Sequence, residues 1–322
     1  MGWPTANFLP RHCHVPGDGF RWQLMQAGLI RTVALLLALL LGVLLPQASQ
    51  YGWLIKWIVG SMLFMTFLGT RLSRGTLQRG HAALLTANVG MGFVAWGLGW
   101  YAGGNEVALA AFFAGIAPTA SAAPVVMSFL GGRAEFVAGA FLLSNLAVAA
   151  LLPVLLPLVL RADTPGLFQH VLGSVSLVVF LPITAAWLIR TLWPQAMAWP
   201  GRWRNAMFGA WALAMFLAMA NASEFLHTHT VDHTVLAKIA GVTALVCAAN
   251  FALGPWLAGR GFAREGSQAL GQKNTAFCIW VALTYATPLV ALGPTCYVLW
   301  HNLWNSWQLH QAGRRQHDTK GS

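Results

Sequence analysis

Charge is what this sequence has least of: Asp, Glu, Lys and Arg make up 8% of its 322 residues, where a soluble domain usually carries about 25%. That shortage excludes a water-facing surface over most of the chain. Only eight residues are acidic, and all of them fall in loops or at the ends of apolar stretches. An intramembrane enzyme would need an acid pair, an activated nucleophile or metal ligands at depth, so this class loses its chemistry. The four cysteines, Cys13, Cys247, Cys278 and Cys296, have no paired spacing, which indicates neither a disulfide framework nor a cysteine-based zinc site. A small-residue cleavage site is also missing after the first apolar stretch. Residues 1–26, with His12, Cys13, His14, Asp18 and Arg21, therefore read as a short cytoplasmic leader and not as a removed signal peptide.

What is present is apolar sequence. Hydrophobic residues make up 57% of the chain, and the mean hydropathy is +0.61. A helix needs about 20 mostly apolar residues to cross a hydrocarbon core about 30 Å thick. Segments 27–46, 51–70, 82–103, 106–131, 135–160, 167–190, 204–223, 235–258, 264–286 and 287–309 meet that need, which predicts an all-α polytopic membrane protein of about ten transmembrane helices.

The net charge of +11 is distributed by topology, with no basic stripe of the kind a nucleic-acid partner requires. Arg71, Arg74, Arg79, Arg133, Arg190, Arg202, Arg204, Arg260, Arg264, Arg314, Arg315 and Lys320 share one side with Arg11 and Arg21. The other side keeps Arg161 along with Glu106, Asp163, Glu224 and Asp232. The positive-inside rule then puts both termini in the cytoplasm, in a bacterial-type inner membrane. Arg31, Lys56 and Lys238 stand near span ends, where long side chains reach the interface.

Two spans are interrupted. The fourth reads Gly115-Ile116-Ala117-Pro118-Thr119-Ala120-Ser121-Ala122-Ala123-Pro124, and its prolines remove donors and clash with preceding carbonyls. In the ninth, Gln272, Lys273, Asn274 and Thr275 break an apolar run. The interruptions occupy corresponding places if 27–160 and 167–309 are five-span repeats joined by an external loop at 161–166, with a tail at 310–322. An odd number of spans inverts the second repeat, and paired interrupted helices in inverted repeats point to a transporter's midplane site. A faint echo, Ser144-Asn145-Leu146 in the fifth span and His301-Asn302-Leu303 in the tenth, accompanies them.

With the Pro118 break, the Gly271-x-x-Asn274-Thr275 break and Trp300-His301-Asn302 in order on this layout, the chain from about residue 52 to 310 resembles the bile acid:sodium symporter family. The resemblance implies a panel domain of spans 1, 2, 6 and 7 and a core domain of spans 3–5 and 8–10, with the broken helices crossing in the core. It also implies sodium sites built from a glutamate two residues before the ninth-span glycine, a glutamine two residues after it, and a Ser-Asn pair at the fourth-span break. This chain has Ala269, Lys273 and Ser121-Ala122 at those places. Only the serine is retained, so sodium coupling is not expected, and no cofactor is implied.

Lys273 lies about ten residues into its span, or about 15 Å at 1.5 Å per residue, too deep for its stem to reach the headgroups. The expectation is a fixed cation that faces a cavity or pairs with an anion, and a lysine that gains and loses a proton during a cycle would couple transport to protons. Asn274 and Thr275 open the second half-helix, whose free N–H groups favour an anion. Thr119 and Ser121 are their fourth-span counterparts, and the alternative for a helix hydroxyl is a bond to its own backbone. Asn88 and Asn145 either line the same cavity or glue helices together, with gluing favoured for Asn145. His301 and Asn302 are further cavity candidates, although a span histidine also serves simple packing.

The loop His227-Thr228-His229-Thr230-Val231-Asp232-His233 holds metal-capable residues at close spacing, but lacks a fixed scaffold and reads as solvated, so no metal is expected. Tryptophans such as Trp53, Trp57, Trp96, Trp100, Trp199, Trp203, Trp304 and Trp307 fall near span ends, as in an interfacial belt. The expected activity is secondary transport of a small organic anion by alternating access in a lipid bilayer. A membrane sensor on the same fold is the alternative, followed by an intramembrane enzyme.

Overall fold

A computed structural model describes residues 33–70, 77–161 and 165–318 of the chain, with side chains described as far as residue 311. The expected leader, the first residues of the first span, Arg71, Arg74, Asp163 in the connecting loop, and Arg314, Arg315 and Lys320 of the tail lie outside the described side chains.

Lipid offers no partners to backbone N–H and C=O groups, so a chain this apolar must satisfy them internally. Among the described residues every regular element is helical. In chain order those of seven residues or more are α1 (Val33–Leu44), α2 (Leu54–Gly69), α3 (Arg79–Gly103), α4 (Asn105–Ile116), α5 (Ala123–Phe129), α6 (Ala134–Leu160), α7 (Leu167–Leu192), α8 (Arg204–Thr228), α9 (His233–Leu257), α10 (Ala263–Gly271), α11 (Thr275–Tyr285) and α12 (Pro288–Asp318). Five of them, α3 and α6 to α9, are long and apolar enough to cross a membrane, while α1, α2, α4 and α11 are shorter apolar helices. The chain is a multi-pass membrane protein.

Both interruptions occur as expected. The fourth span divides into α4 and α5, with Pro124 in the first turn of α5, where its missing N–H is harmless. The ninth divides into α10 and α11. Its first half is polar, and residues Glu265 to Gly271 are all buried in protein, which is the condition under which non-apolar and non-helical backbone survives at membrane depth. A third irregularity, not anticipated, is a π-helical stretch at Ser176–Phe180 of α7, just before Pro182.

Helix α2 packs on both α7 and α8. Helix α1 lies against α8, where Ser223 donates to the Val43 carbonyl at 2.9 Å. Helices α3, α4, α6, α9, α10, α11 and α12 pack around the two breaks. Association within lipid depends on close packing instead of water release, and small residues set the spacing here. A Cβ on Gly293 of α12 would lie 2.0 Å from the Ala110 carbonyl oxygen of α4, and one on Gly254 of α9 would lie 2.1 Å from the Gly266 carbonyl oxygen of α10.

Among the described residues Arg79, Arg133, Arg190, Arg202, Arg204, Arg260 and Arg264 lie at one end of the helices. Arg190 donates to the Thr70 carbonyl at 2.8 Å, Arg264 to the Leu130 carbonyl at 3.4 Å, and the Arg133 N–H to Glu265 Oε1 at 2.8 Å. Glu265 was not singled out from the sequence, although a buried carboxylate (5% exposed) that fixes the turn before α6 is a clear structural role. At the opposite end Arg161 closes α6 in a left-handed conformation and lies over the Trp100 ring at 4.9 Å. There the histidine loop is committed to helix ends. His227 Nδ1 donates to the Ser223 carbonyl at 2.8 Å, His229 stacks on Phe225, and Asp232 caps α9 by accepting from Thr234 N at 2.9 Å and Thr234 Oγ1 at 2.7 Å. Those two bonds hold the Asp232 carboxyl below its usual range.

The tryptophan belt divides in two. Trp53, Trp57, Trp100, Trp203 and Trp307 are exposed, whereas Trp304 packs face to face on Phe251 with centroids 5.2 Å apart.

Candidate functional site

An unwound segment inside a membrane protein must find partners for its backbone, and here each break supplies them to the other. Thr119 and Lys273 form an antiparallel bridge, in which Ala120 N donates to the Gln272 carbonyl at 2.8 Å and Asn274 N to the Pro118 carbonyl at 2.6 Å. Side chains complete the set. Thr119 Oγ1 donates to the Ala269 carbonyl at 2.6 Å, Thr119 N donates to Ser144 Oγ at 2.9 Å, and Asn145 Nδ2 donates to the Thr119 carbonyl at 2.9 Å. The breaks therefore cross as one hydrogen-bonded unit.

Amide orientations follow from the carbonyls, which only accept. Asn145 Nδ2 serves the carbonyls of Thr119 and Phe141, so its Oδ1 accepts from Asn274 Nδ2 at 3.1 Å. On the other flank Asn88 Nδ2 donates to the Ile116 carbonyl at 3.0 Å, which turns Asn88 Oδ1 toward the Lys273 ammonium. Lys273 Nζ also donates to the Gly115 carbonyl at 3.1 Å. Its side chain is 1% exposed.

The two carbonyls, Gly115 and Ile116, belong to the last turn of α4. Carbonyls at a helix C-terminus lack intrahelical partners and carry the negative end of the macrodipole. An ammonium placed there meets a partial negative charge, and broken-helix transporters use such C-terminal ends and unwound carbonyls for cations. The arrangement thus holds the Lys273 side chain between Asn88 and the carbonyl end of α4. The sequence predicts that Lys273 faces a cavity or pairs with an anion; it is instead enclosed by two neutral acceptors, Asn88 Oδ1 and the Gly115 carbonyl, the second a backbone oxygen that residue types do not reveal.

Toward the other end of the ninth-span break, Asn274 is half-buried and precedes Thr275, the first residue of α11. The first-turn N–H groups of α11 are without intrahelical partners, and Asn274 retains one amide N–H beyond the bond to Asn145. Ser121 is half-buried and Ala122 exposed, next to this crossing. Ala269 contributes a carbonyl to Thr119 and no charge.

The structure brings Thr119, Lys273, Asn274, Asn88 and Asn145 into one network. Asn145, for which gluing was favoured, bonds to both breaks at once. His301 stands apart on α12, edge-on to Tyr297 with centroids 5.8 Å apart, and Asn302 donates to the Val298 carbonyl of its own helix at 2.8 Å. A small space lined in part by His81, Asn88, Thr119, Ser144 and Ala269 adjoins the network. His81, not selected from the sequence, is locked there. Its Nδ1 accepts from Gln78 N at 3.0 Å and its Nε2 donates to the Phe136 carbonyl at 2.9 Å.

Residues 81–223 match the family model described as Sodium Bile acid symporter family. The matched part runs from α3 to α8 and includes the fourth-span break, Asn88 and Asn145. No curated protein matches the chain.

Proposed function

We propose, for a chain that belongs by residues 81–223 to the sodium bile acid symporter family, that it is a secondary transporter of a small organic anion that works without sodium and keeps Lys273 where a coupling cation would sit. The family supplies the coarse statement, a membrane transporter. The finer reading is carried by the Lys273 ammonium, held by Asn88 Oδ1 and the Gly115 carbonyl at the C-terminal end of α4.

A mobile cation in such a site links substrate binding to an ion gradient. A tethered one supplies the same positive charge to the crossing whenever the lysine is protonated, so the electrostatic help it gives an anion does not depend on sodium. The anion would sit at the N-terminus of α11, where unpaired N–H groups and the positive dipole end favour negative charge, flanked by Asn274, Thr275 and Ser121 with Ala122 at the edge. Ala269 leaves the crossing without the carboxylate that a dry sodium site needs. Energy would then come from a proton taken up and released by Lys273, or from exchange of one anion for another.

In this reading α1, α2, α7 and α8 form the panel and the remaining helices the core. Alternating access is motion of one against the other around the crossing. The basic end faces the cytoplasm with both termini, and the bilayer is an inner membrane.

The test is accumulation in proteoliposomes. A radiolabelled bile acid and a panel of labelled small carboxylates are offered in sodium-free buffer with a pH gradient or with internal unlabelled anion. Uptake above the equilibrium level for at least one compound is the expected result. Saturable binding without internal accumulation of any compound would instead make the protein a receptor.

A further inference from the structure

On α12, away from Lys273, a row of polar residues continues from the ninth-span break toward the basic end. Tyr297, His301, Asn305 and Gln308 follow at intervals of four, four and three, so they share one helix face. Tyr297 is 0% exposed, His301 and Asn305 are each 5% exposed, and Gln308 is half-buried. Facing them are Asn250 of α9 and Gln268 of α10. Asn250 Nδ2 donates to the Tyr297 hydroxyl at 3.1 Å, and that hydroxyl donates to the Gly271 carbonyl at 2.8 Å. Gln268 Nε2 donates to Asn305 Oδ1 at 3.0 Å and to Gln308 Oε1 at 2.6 Å.

This network is incomplete in one sense only. Because the Gly271 carbonyl can only accept, the Tyr297 proton is committed to it, Asn250 must donate to the hydroxyl, and Asn250 Oδ1 is turned away from both. Asn250 Oδ1, Gln268 Oε1, Gln272 Oε1 and His301 Nδ1 have no hydrogen-bond partner among the described residues. Their side chains are 0%, 0%, 4% and 5% exposed. Buried polar atoms in natural proteins are satisfied by protein or by ordered water. The three amide oxygens need a donor, and Asp or Glu contributes no bond to this network, which leaves a metal cation without counter-charge.

We propose that water fills this seam and forms an aqueous route from the basic end, at Gln308, past Asn305, Gln268 and His301 to Gln272 at the ninth-span break. The donor each bare oxygen lacks is then a water proton, and the bare atoms are spread over α9, α10, α12 and the ninth-span break, which suits several water molecules better than a single ion. The route ends at Gln272 of the ninth-span break, where protons moving to or from the break would enter. Hydration of the seam is independent of the transport reading, and only its use by protons rests on that reading.

The experiment is radiolytic hydroxyl-radical labelling of the full chain in lipid nanodiscs, read residue by residue by mass spectrometry. After correction for intrinsic reactivity, Tyr297 and His301 are expected to label at least several-fold faster than Phe112 and Phe113, which are 0% and 1% exposed in the apolar core. Closing the mouth with Gln308→Leu, and separately the middle with Asn305→Leu, should lower Tyr297 labelling several-fold in variants that elute as the native protein does. Tyr297 labelling no faster than that of Phe112 would overturn the proposal without any variant. Fast labelling that neither substitution changes would mean that water enters elsewhere, and would equally overturn the route.

Discussion

Replacing Asn88 by alanine removes one of the two acceptors of the Lys273 ammonium and the donor to the Ile116 carbonyl. A hydrogen bond to a charged group contributes about 1.5–3 kcal/mol, and an abandoned buried carbonyl costs about 1–3 kcal/mol. The sum, about 2.5–6 kcal/mol, spans the usual cost of about 3–5 kcal/mol for breaking a buried pair from one side. Lys273→Met removes the cation, after which the loss of Asn88 Oδ1 has no charged group to strand. The double variant Asn88→Ala/Lys273→Met should therefore be more stable than the sum of the single effects by about 1.5–3 kcal/mol, which is the charged part of the bond. Reversible unfolding in mixed micelles of increasing sodium dodecyl sulfate content, followed by tryptophan fluorescence, gives the four free energies of the cycle. Additivity to within about 0.5 kcal/mol would show that Asn88 and Lys273 do not interact, and would refute the described environment of Lys273.

The remaining predictions concern the anion and the orientation. Asn274→Ala deletes an amide beside the α11 N-terminus and should weaken binding of a transported anion by about 1–3 kcal/mol; unchanged affinity in isothermal titration would remove Asn274 from the site. Thr230, in the exposed turn between α8 and α9, lies at the end opposite the basic residues, so a cysteine there should react with an impermeant thiol reagent in intact cells. Reaction only after lysis would reverse the topology.

The elements that were legible in the sequence are those in which local chemistry and fold agree. Long apolar runs could only be helices, and Pro118, Pro124 and the run from Gln272 to Thr275 could only interrupt them. The meeting of the two interruptions as an antiparallel bridge was not legible, because hydrogen bonds such as Asn274 N to Pro118 O join backbone groups distant in sequence. Lys273 stood out by its depth, yet its environment depends on the last turn of α4, whose residues are apolar by type and whose carbonyls do the binding. The polar row Tyr297, His301, Asn305 and Gln308 is present at helical spacing, but it shares only His301 with the contiguous Trp300-His301-Asn302, whose members point to different faces. Asn302, inside that motif, turns back to its own helix. The π-helical stretch of α7 has Pro182 beside it as its only sequence mark, and proline by itself does not predict that geometry.

The central claim is that a lysine takes the place of the coupling sodium ion, and the most direct measurement is the initial rate of anion uptake into proteoliposomes with sodium replaced completely by choline. The native chain should transport equally fast in both salts, while Lys273→Met, which keeps the bulk and removes the charge, should lose most of its uptake in both. A native rate that collapses in choline, or a Lys273→Met rate equal to the native one, would contradict the account.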